Sequence, residues 1–233
     1  MGRAKKKRKR LAKLKRLKRK SQGKLVIFDL QNSPKKMKGC SNKYSYKTNI
    51  HNLIYKDASF ENVRFRASNI TDCNFKNAHL IGVDFVSSNL KNSNFSNATL
   101  EDVVFFGCKL KGVIFHNTEF KNVFFISTNT NGCKYINDSE ECTIINRYTV
   151  EELSPEIEVC LAKLATYKSI YIPHVIHVKK DKTNYWITNL LLKQCGDTYT
   201  FKRVLQALCK RKDKRYFYTV YAYKKFIDNY LKR

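Results

Sequence analysis

From Ser88 to Phe105 a bulky apolar residue returns at every fifth position: Leu90, Phe95, Leu100 and Phe105. Two residues before each stands a small or β-branched one, Ser88, Ser93, Ala98 and Val103. Neither the 3.6-residue period of an amphipathic helix nor the two-residue period of a simple strand gives this spacing. Stepping by five, the bulky register runs from Ile50 to Tyr135 with Thr130 its one clearly polar member, 18 repeats in all. The companion register runs from Thr48 to Cys133, with Leu53 its one large member. Two residues after each bulky position turn formers dominate, from Asn52, Asp57 and Asn62 to Asn122, Ser127 and Gly132.

Two inward positions two apart predict a very short strand, and a turn former every fifth residue predicts a corner. Repeated corners wind the chain into a solenoid whose coils pair backbone with backbone. A twenty-residue period predicts four corners per coil: Phe65, Phe85, Phe105 and Phe125 form one column, and Phe75, Phe95, Phe115 and Tyr135 another. Nine of the 15 Phe occupy the bulky position, which predicts an axial aromatic stack. The segments "SNLKN", "SNFSN", "ATLED" and "CNFKN" resemble the repeating unit of the pentapeptide-repeat family. The resemblance implies a right-handed quadrilateral parallel β-helix over residues 48–137, about four and a half coils and roughly 20 Å long at the interstrand spacing. Beyond Asn137 the register would place Asp138 and Glu140 inside, so the coil is expected to stop there. Solenoid ends need caps. "KLVIFDL" (24–30) is the candidate at one end, and the C-terminal region is expected to close the other.

Some members of that family resemble DNA in shape and charge, bind DNA gyrase and protect it from quinolones. Those rods are acidic. Residues 41–137 here carry 11 Lys/Arg against 7 acids, so the sign disfavours mimicry. Outward positions on one face turn apolar in successive coils, at Val86, Val104, Phe106, Phe124 and Ile126. Such a patch predicts an interface, with this chain's own C-terminal segment, with a second copy, or with another protein. Lys91, Lys109 and Lys111 fall together on an adjacent face and read as solvated surface.

Residues 138–233 lack the repeat and predict a second, α-rich unit. Ser154 as N-cap and Pro155 at the first helical position open one helix. "SIYIPHVIHV" (169–178) reads as β-rich, which sets His174 and His177 on opposite faces and argues against a shared metal. "NYWITNLLLKQCG" reads as a helix ended by Gly196, and Phe201, Val204, Leu205 and Leu208 mark another. A last helix carries Val220, Tyr223, Ile227 and Tyr230 on one side. Tyr216, Tyr218, Tyr221, Tyr223 and Tyr230 lie among Lys and Arg. They read either as the rim of a small core or as stacking platforms for bases, and "KRKDKR" (210–215) as a loop between helices. A winged-helix-like reader fits the element count loosely, with no recognition helix identified.

Charge changes the picture. The formal net charge is +27, and residues 1–40 supply 17 Lys/Arg against the single acid Asp29. The first 20 residues hold Arg3, Lys5, Lys6, Lys7, Arg8, Lys9, Arg10, Lys13, Lys15, Arg16, Lys18, Arg19 and Lys20 with no acid. Alone, such an arm repels itself. Against a polyanion it becomes a basic helix with Leu11, Leu14 and Leu17 along one stripe. Multiple phosphate contacts then give strong, salt-sensitive, sequence-blind binding. "KKKRKR" also resembles a monopartite nuclear localisation signal. An anionic membrane surface suits it less, since three Leu make a weak apolar face. No apolar run is long enough to span a bilayer, and the N-terminus lacks the apolar core of a secretory signal.

Eight Cys show no C-x-x-C pair and read as free thiols in a reducing compartment. No phosphate loop, metal motif or nucleophile elbow is present, so neither catalysis nor a cofactor is expected. The reading is a mainly β protein with an α+β extension: a basic arm (1–23), a linker and cap (24–47), a β-helix (48–137) and an α-rich C-terminal domain (138–233). Its expected role is a non-enzymatic scaffold that binds DNA or RNA through phosphates. The alternatives are a protein–protein module or a structural component of a virion or ribonucleoprotein. The compartment is expected to be cytoplasmic in a bacterium, and nuclear or virion-associated for a eukaryotic or viral source.

Overall fold

A computed structural model describes residues 10, 11, 14, 29–30, 36–136, 139–147 and 153–232. The five-residue pattern folds as a parallel β-solenoid. One face stacks six strands: β2 (Cys40–Tyr46), β4 (Ser59–Arg66), β6 (His79–Val86), β8 (Val104–Phe106), β10 (Val123–Ile126) and β11 (Cys142–Ile145). A second face stacks β1 (Asp29–Leu30), β3 (Asn49–His51) and β5 (Asn69–Thr71). β7 (Thr99–Glu101) and β9 (Glu119–Lys121) extend a further column from β6. The register is twenty residues, as in Phe65↔Phe85 and Phe85↔Phe105.

The aromatic residues form two columns. Phe65, Phe85, Phe105 and Phe125 stack with ring centroids 4.7–5.5 Å apart, and Tyr55, Phe75, Phe95 and Phe115 at 4.6–5.3 Å. Between columns the rings meet edge to face, Phe95 and Phe105 at 90°. Small inward residues leave room at the corners and satisfy backbone there: Ser88 Oγ accepts from Ser68 N and donates to Phe65 O.

The corners are left-handed. Asn52, Asp57, Asn62, Asp72, Asn77 and Asn92 all have φ between 52° and 60°. Asn and Asp tolerate this region, and their side chains link coil to coil, Asn77 Nδ2 to Asp57 Oδ1 and Asn92 Nδ2 to Asp72 Oδ1 at 3.1 Å.

The ladder runs past both expected ends. Leu30 pairs with Ile50 and Cys40 with Phe60, so a coil precedes residue 48. Its sequence hides it: Cys40 and Ser45 take slots where later coils have Phe. Between them and β1, Met37 N donates to Ile54 O in the place a twenty-residue register gives to residue 35. The chain then cuts the corner beside Gly39, where a Cβ would sit 1.6 Å from Ser59 O. At the other end β11 pairs with β10 at an offset of nineteen, Val123↔Cys142 and Phe125↔Ile144. Dropping one residue turns Cys142 and Ile144 inward and leaves Glu140 and Glu141 exposed.

The C-terminal helices are α1 (Pro155–Ala165), α2 (Lys168–Tyr171), α3 (Tyr185–Cys195), α4 (Thr198–Lys210) and α5 (Val220–Leu231), with a hairpin of β12 (His177–Lys179) and β13 (Lys182–Thr183). The β-rich reading of 169–178 is corrected: most of it is α2 and a turn. Pro173 removes a ladder donor, and His174 at φ 54° turns the chain while Ile170, Val175 and Ile176 drop into the helical core. The helices do not sit over the last coil. They lie along the flank of the six-strand face, and their core is continuous with Val104 and Ile126.

Candidate nucleic-acid interface

Of the thirteen basic arm residues, Arg10 is described; it is helical and exposed, as are Leu11 and Leu14. Arg3, Lys5, Lys6, Lys7, Arg8, Lys9, Lys13, Lys15, Arg16, Lys18, Arg19 and Lys20 lie outside the described residues.

The outward apolar patch is occupied by this chain. Val104 and Ile126 are buried among α1, α3, α4 and α5, and Phe106 and Phe124 pack half-buried against the same core. The Trp186 ring of α3 lies 6.0 Å from that of Phe106. Val86 remains half-buried at the patch's edge.

One coil further toward the N-terminus, the outward positions become charged. Arg64 and Asp84 face each other in the β4–β6 register and are fully buried. The Arg64 guanidinium donates to the Asp84 carboxylate and, at 2.7 Å, to His174 O. Val220 N, at the start of α5, donates to the same Asp84 oxygen at 3.0 Å. Burial pushes the Asp84 carboxyl up to about 6, against the pull of Arg64 and Val220 N–H, and pulls the Arg64 guanidinium down. Both directions say that desolvation outweighs pairing. On the corner column beside the pair, Asn62 donates to Tyr216 O and accepts from Thr219 Oγ1, each at 2.8 Å. Gly82 admits the Tyr221 ring, and Lys224 Nζ reaches Asp102 Oδ1 at 2.6 Å.

This docking assembles a surface from two distant stretches, 43–47 of the first coil and 210–218 of the loop after α4. Four tyrosines run across the seam: Tyr216 to Tyr218 with centroids 6.0 Å apart, Tyr218 to Tyr44 at 6.4 Å, then Tyr46 beyond. Arg66 bridges the last two, with its guanidinium 3.5 Å from Tyr44 Oη and 5.1 Å from the Tyr46 centroid. Lys47 lies 5.1 Å over the same Tyr46 ring, and Arg215 5.7 Å from that of Tyr216. Tyr216 is 46% exposed and Tyr46 37%. Beside the track a groove of about 260 Å³ is lined by Arg211, Arg215, Tyr216, Tyr221 and Lys225, with Asn62 at its wall. It runs into a wider one past Arg211 and Phe226 to Lys210 and Tyr230. Residues 198–227 carry nine Lys/Arg and one acid, Asp213, which pairs with Arg215. Glu61 is the groove's own acid, 3.8 Å from Lys225.

The tyrosine-rich tail therefore divides: Tyr223 is core, whereas Tyr216, Tyr218 and Tyr221 line the seam. Tyr44, Tyr46, Lys47 and Arg66 were not singled out by sequence. Their signal was "KYSYK", aromatic and basic residues at the outward slots of a coil whose inward slots did not announce it.

Several other titratable groups are buried or half-buried. Burial pushes the Cys73 thiol up to about 11 and that of Cys108 up to about 12. His177 gives Nε2 to a hydrogen bond with Leu161 O, and His174 its Nδ1 to one with Val178 O; burial holds both below the usual imidazole range. Among the described residues no cluster of three or more His, Cys, Asp or Glu is placed to hold a metal ion, and no described helix is long and apolar enough to cross a membrane.

The family model described as "Pentapeptide repeat region" matches residues 48–125. No curated protein matches the chain. Among solved structures, similarity is found to Rfr23, a pentapeptide repeat protein from the cyanobacterium Cyanothece 51142, at 22% identity, over 43% of this chain and 63% of that one, with a TM-score of 0.29. It extends to a pentapeptide repeat protein of the Arabidopsis thaliana thylakoid lumen, at 19% identity, over 41% and 68%, TM-score 0.23. It also extends to HetL of Nostoc sp. strain PCC 7120, a pentapeptide repeat protein involved in heterocyst differentiation regulation, at 15% identity, over 36% and 48%, TM-score 0.20. The chain thus spans less than two thirds of the length of Rfr23.

Proposed function

We propose, from the premise that residues 48–125 are a pentapeptide-repeat region, that this chain is a non-enzymatic scaffold that binds nucleic acid through its basic arm. The observation that carries the reading is the distribution of charge: 17 of the 46 Lys/Arg fall in the first 40 residues, with one acid. The solenoid contributes rigidity. Its coils are cross-linked by backbone ladders and side-chain ladders, and its apolar flank is covered by the chain's own helices, so it holds the arm on a fixed body. Phosphate contacts release counterions, so affinity falls steeply with salt and ignores base sequence.

The test is fluorescence anisotropy on duplex DNA, single strands and structured RNA across a salt series. The full chain is compared with a variant in which Lys5, Lys6, Lys7, Arg8, Lys9 and Arg10 are Gln. The native chain is expected to bind with a steep log–log slope, and the variant's slope on duplex DNA to be shallower by about 0.9 for each phosphate it no longer neutralises. Absence of binding by the native chain at about 150 mM salt, or identical slopes, overturns the proposal.

A further inference from the structure

The tyrosine track and the groove beside it are separated from the arm in sequence and need not serve the same contact. We infer that the track from Tyr46 through Tyr44 and Tyr218 to Tyr216, with the groove of Arg211, Arg215 and Lys225, is a second site that binds a single strand of DNA or RNA. The inference rests on the reading of the chain as nucleic-acid-binding and adds to it a place and a strandedness.

Three observations carry it. The first is composition at the surface: rings and cations alternate, and stacking platforms beside a positive groove are what unpaired bases and their phosphates require. A duplex keeps its base faces stacked inside and offers a ring nothing to lie against. The second is exposure. Tyr216 stands 46% open to solvent although the same tail buries Tyr223, and Tyr46 at the end of β2 is 37% open, so neither ring is committed to the core. The third is backbone conformation. Tyr216 has φ 66°, a region that a bulky side chain occupies only under constraint. The constraint is visible: Asn62 of the solenoid donates to Tyr216 O at 2.8 Å, and Asp213 accepts from Arg215 N at 2.9 Å just before it. The loop is held in a costly conformation that presents the ring outward.

The cations are partly tied within the protein. Arg215 is paired with Asp213, and Lys225 lies near Glu61. Arg211 rests its guanidinium 5.7 and 5.6 Å from the Phe217 and Phe226 centroids, which fixes a charge at the groove floor. Affinity at this site is therefore expected to depend more on rings and less on salt than affinity at the arm.

The experiment uses the full chain in four forms: native, the arm variant above, Tyr46→Ser/Tyr216→Asn, and both sets combined. Asn is chosen at 216 because it tolerates a left-handed backbone. Labelled oligothymidine and oligouridine of about 12 nucleotides and a DNA duplex of the same length are titrated by anisotropy, the first two separating DNA from RNA. The arm variant is expected to retain single-strand binding. The combined variant is expected to lose at least about fivefold for each ring on single strands, with duplex binding unchanged from the arm variant. Unchanged single-strand affinity, or equal losses on duplex and single strand, overturns the inference while leaving the arm proposal standing. Failure of the native chain to bind any of the polymers overturns both. Photocrosslinking of a 5-bromouracil strand to the native chain is independent of any substitution: adducts are expected in residues 41–47 and 216–224, and adducts confined to 1–40 overturn the second site.

Discussion

At the residue scale, the corners and the buried ion pair show what single side chains contribute. Most non-glycine corner residues are Asn, Asp or Ser, which tolerate positive φ. Ala67 does not fit that set: it has φ 50° and no side-chain oxygen to share with a neighbouring coil. A left-handed Cβ costs roughly 1–2 kcal/mol, so Ala67→Gly is expected to raise stability by about 0.5–1 kcal/mol once the extra freedom of unfolded glycine is subtracted; denaturant melts measure it. Arg64 and Asp84 carry the opposite lesson. Arg64→Met leaves a buried carboxylate without its counter-charge and is expected to cost about 3–5 kcal/mol at pH 7. The folded Asp84 carboxyl already titrates above its ordinary range, and loss of the guanidinium raises it further. The folded chain then holds a proton that the unfolded chain releases, so stability falls as pH rises through the folded value and returns on acidification. Melts of Arg64→Met at pH 7 and pH 5 are expected to show that recovery. Arg64→Met/Asp84→Leu is expected to recover part of that loss at pH 7 but to stay below the native stability, because His174 O and Val220 N lose their buried partners.

At the element scale, α5 is placed by one corner column of the solenoid. Asn62, Gly82 and Asp102 lie twenty residues apart and meet Thr219, Tyr221 and Lys224 in turn. Gly82 is where this column has no room. Its φ is +61°, and an added Cβ would lie 2.3 Å from the Tyr221 ring. Gly82→Ala is expected to displace α5, lower the melting temperature by several degrees for each kcal/mol of destabilisation, and expose 210–218 to limited proteolysis. An unchanged digestion pattern would show that α5 does not need this contact. The glycine was legible in the sequence as a turn former; its second role, admitting a tyrosine 139 positions away, was not.

At the scale of the whole molecule, the flank contact joins two units that the sequence presents as separate. Trp186 is the chain's one tryptophan and sits on α3 against Phe106. Its emission reports docking, whereas far-ultraviolet circular dichroism reports mainly strands and helices. A shared buried core with a buried ion pair predicts coincident transitions by the two probes. A tryptophan transition that precedes the loss of dichroism would mean that the helices leave the flank before the solenoid unwinds.

The five-residue register determined the solenoid by itself, because inward slots, corner slots and twenty-residue columns are all local consequences of where bulky, small and left-handed-tolerant residues recur. The same logic placed α1, α3, α4 and α5 by their apolar faces and read the start of α1 at Ser154 and Pro155 and the end of α3 at Gly196, whereas the caps Asp197 and Thr219 of α4 and α5 went unread. It failed where a fixed period breaks. β2 carries Cys40 and Ser45 opposite Phe60 and Phe65, and β11 drops one residue to keep Glu140 outside. It also failed at 169–178, where apolar residues meant for a helical core read as a strand. The apolar stripe from Val86 to Ile126 marked the flank as an interface and left its occupant open; only the tertiary structure decided that these helices cover it, and that they lie there rather than over the end. That choice depends on Arg64, Asp84 and Gly82 meeting residues more than 90 positions away, and no local spacing encodes such a pairing. The tyrosine track is the product of the same docking: Tyr44 and Tyr46 come from one end of the chain, Tyr216 and Tyr218 from the other, and only the folded flank sets them side by side.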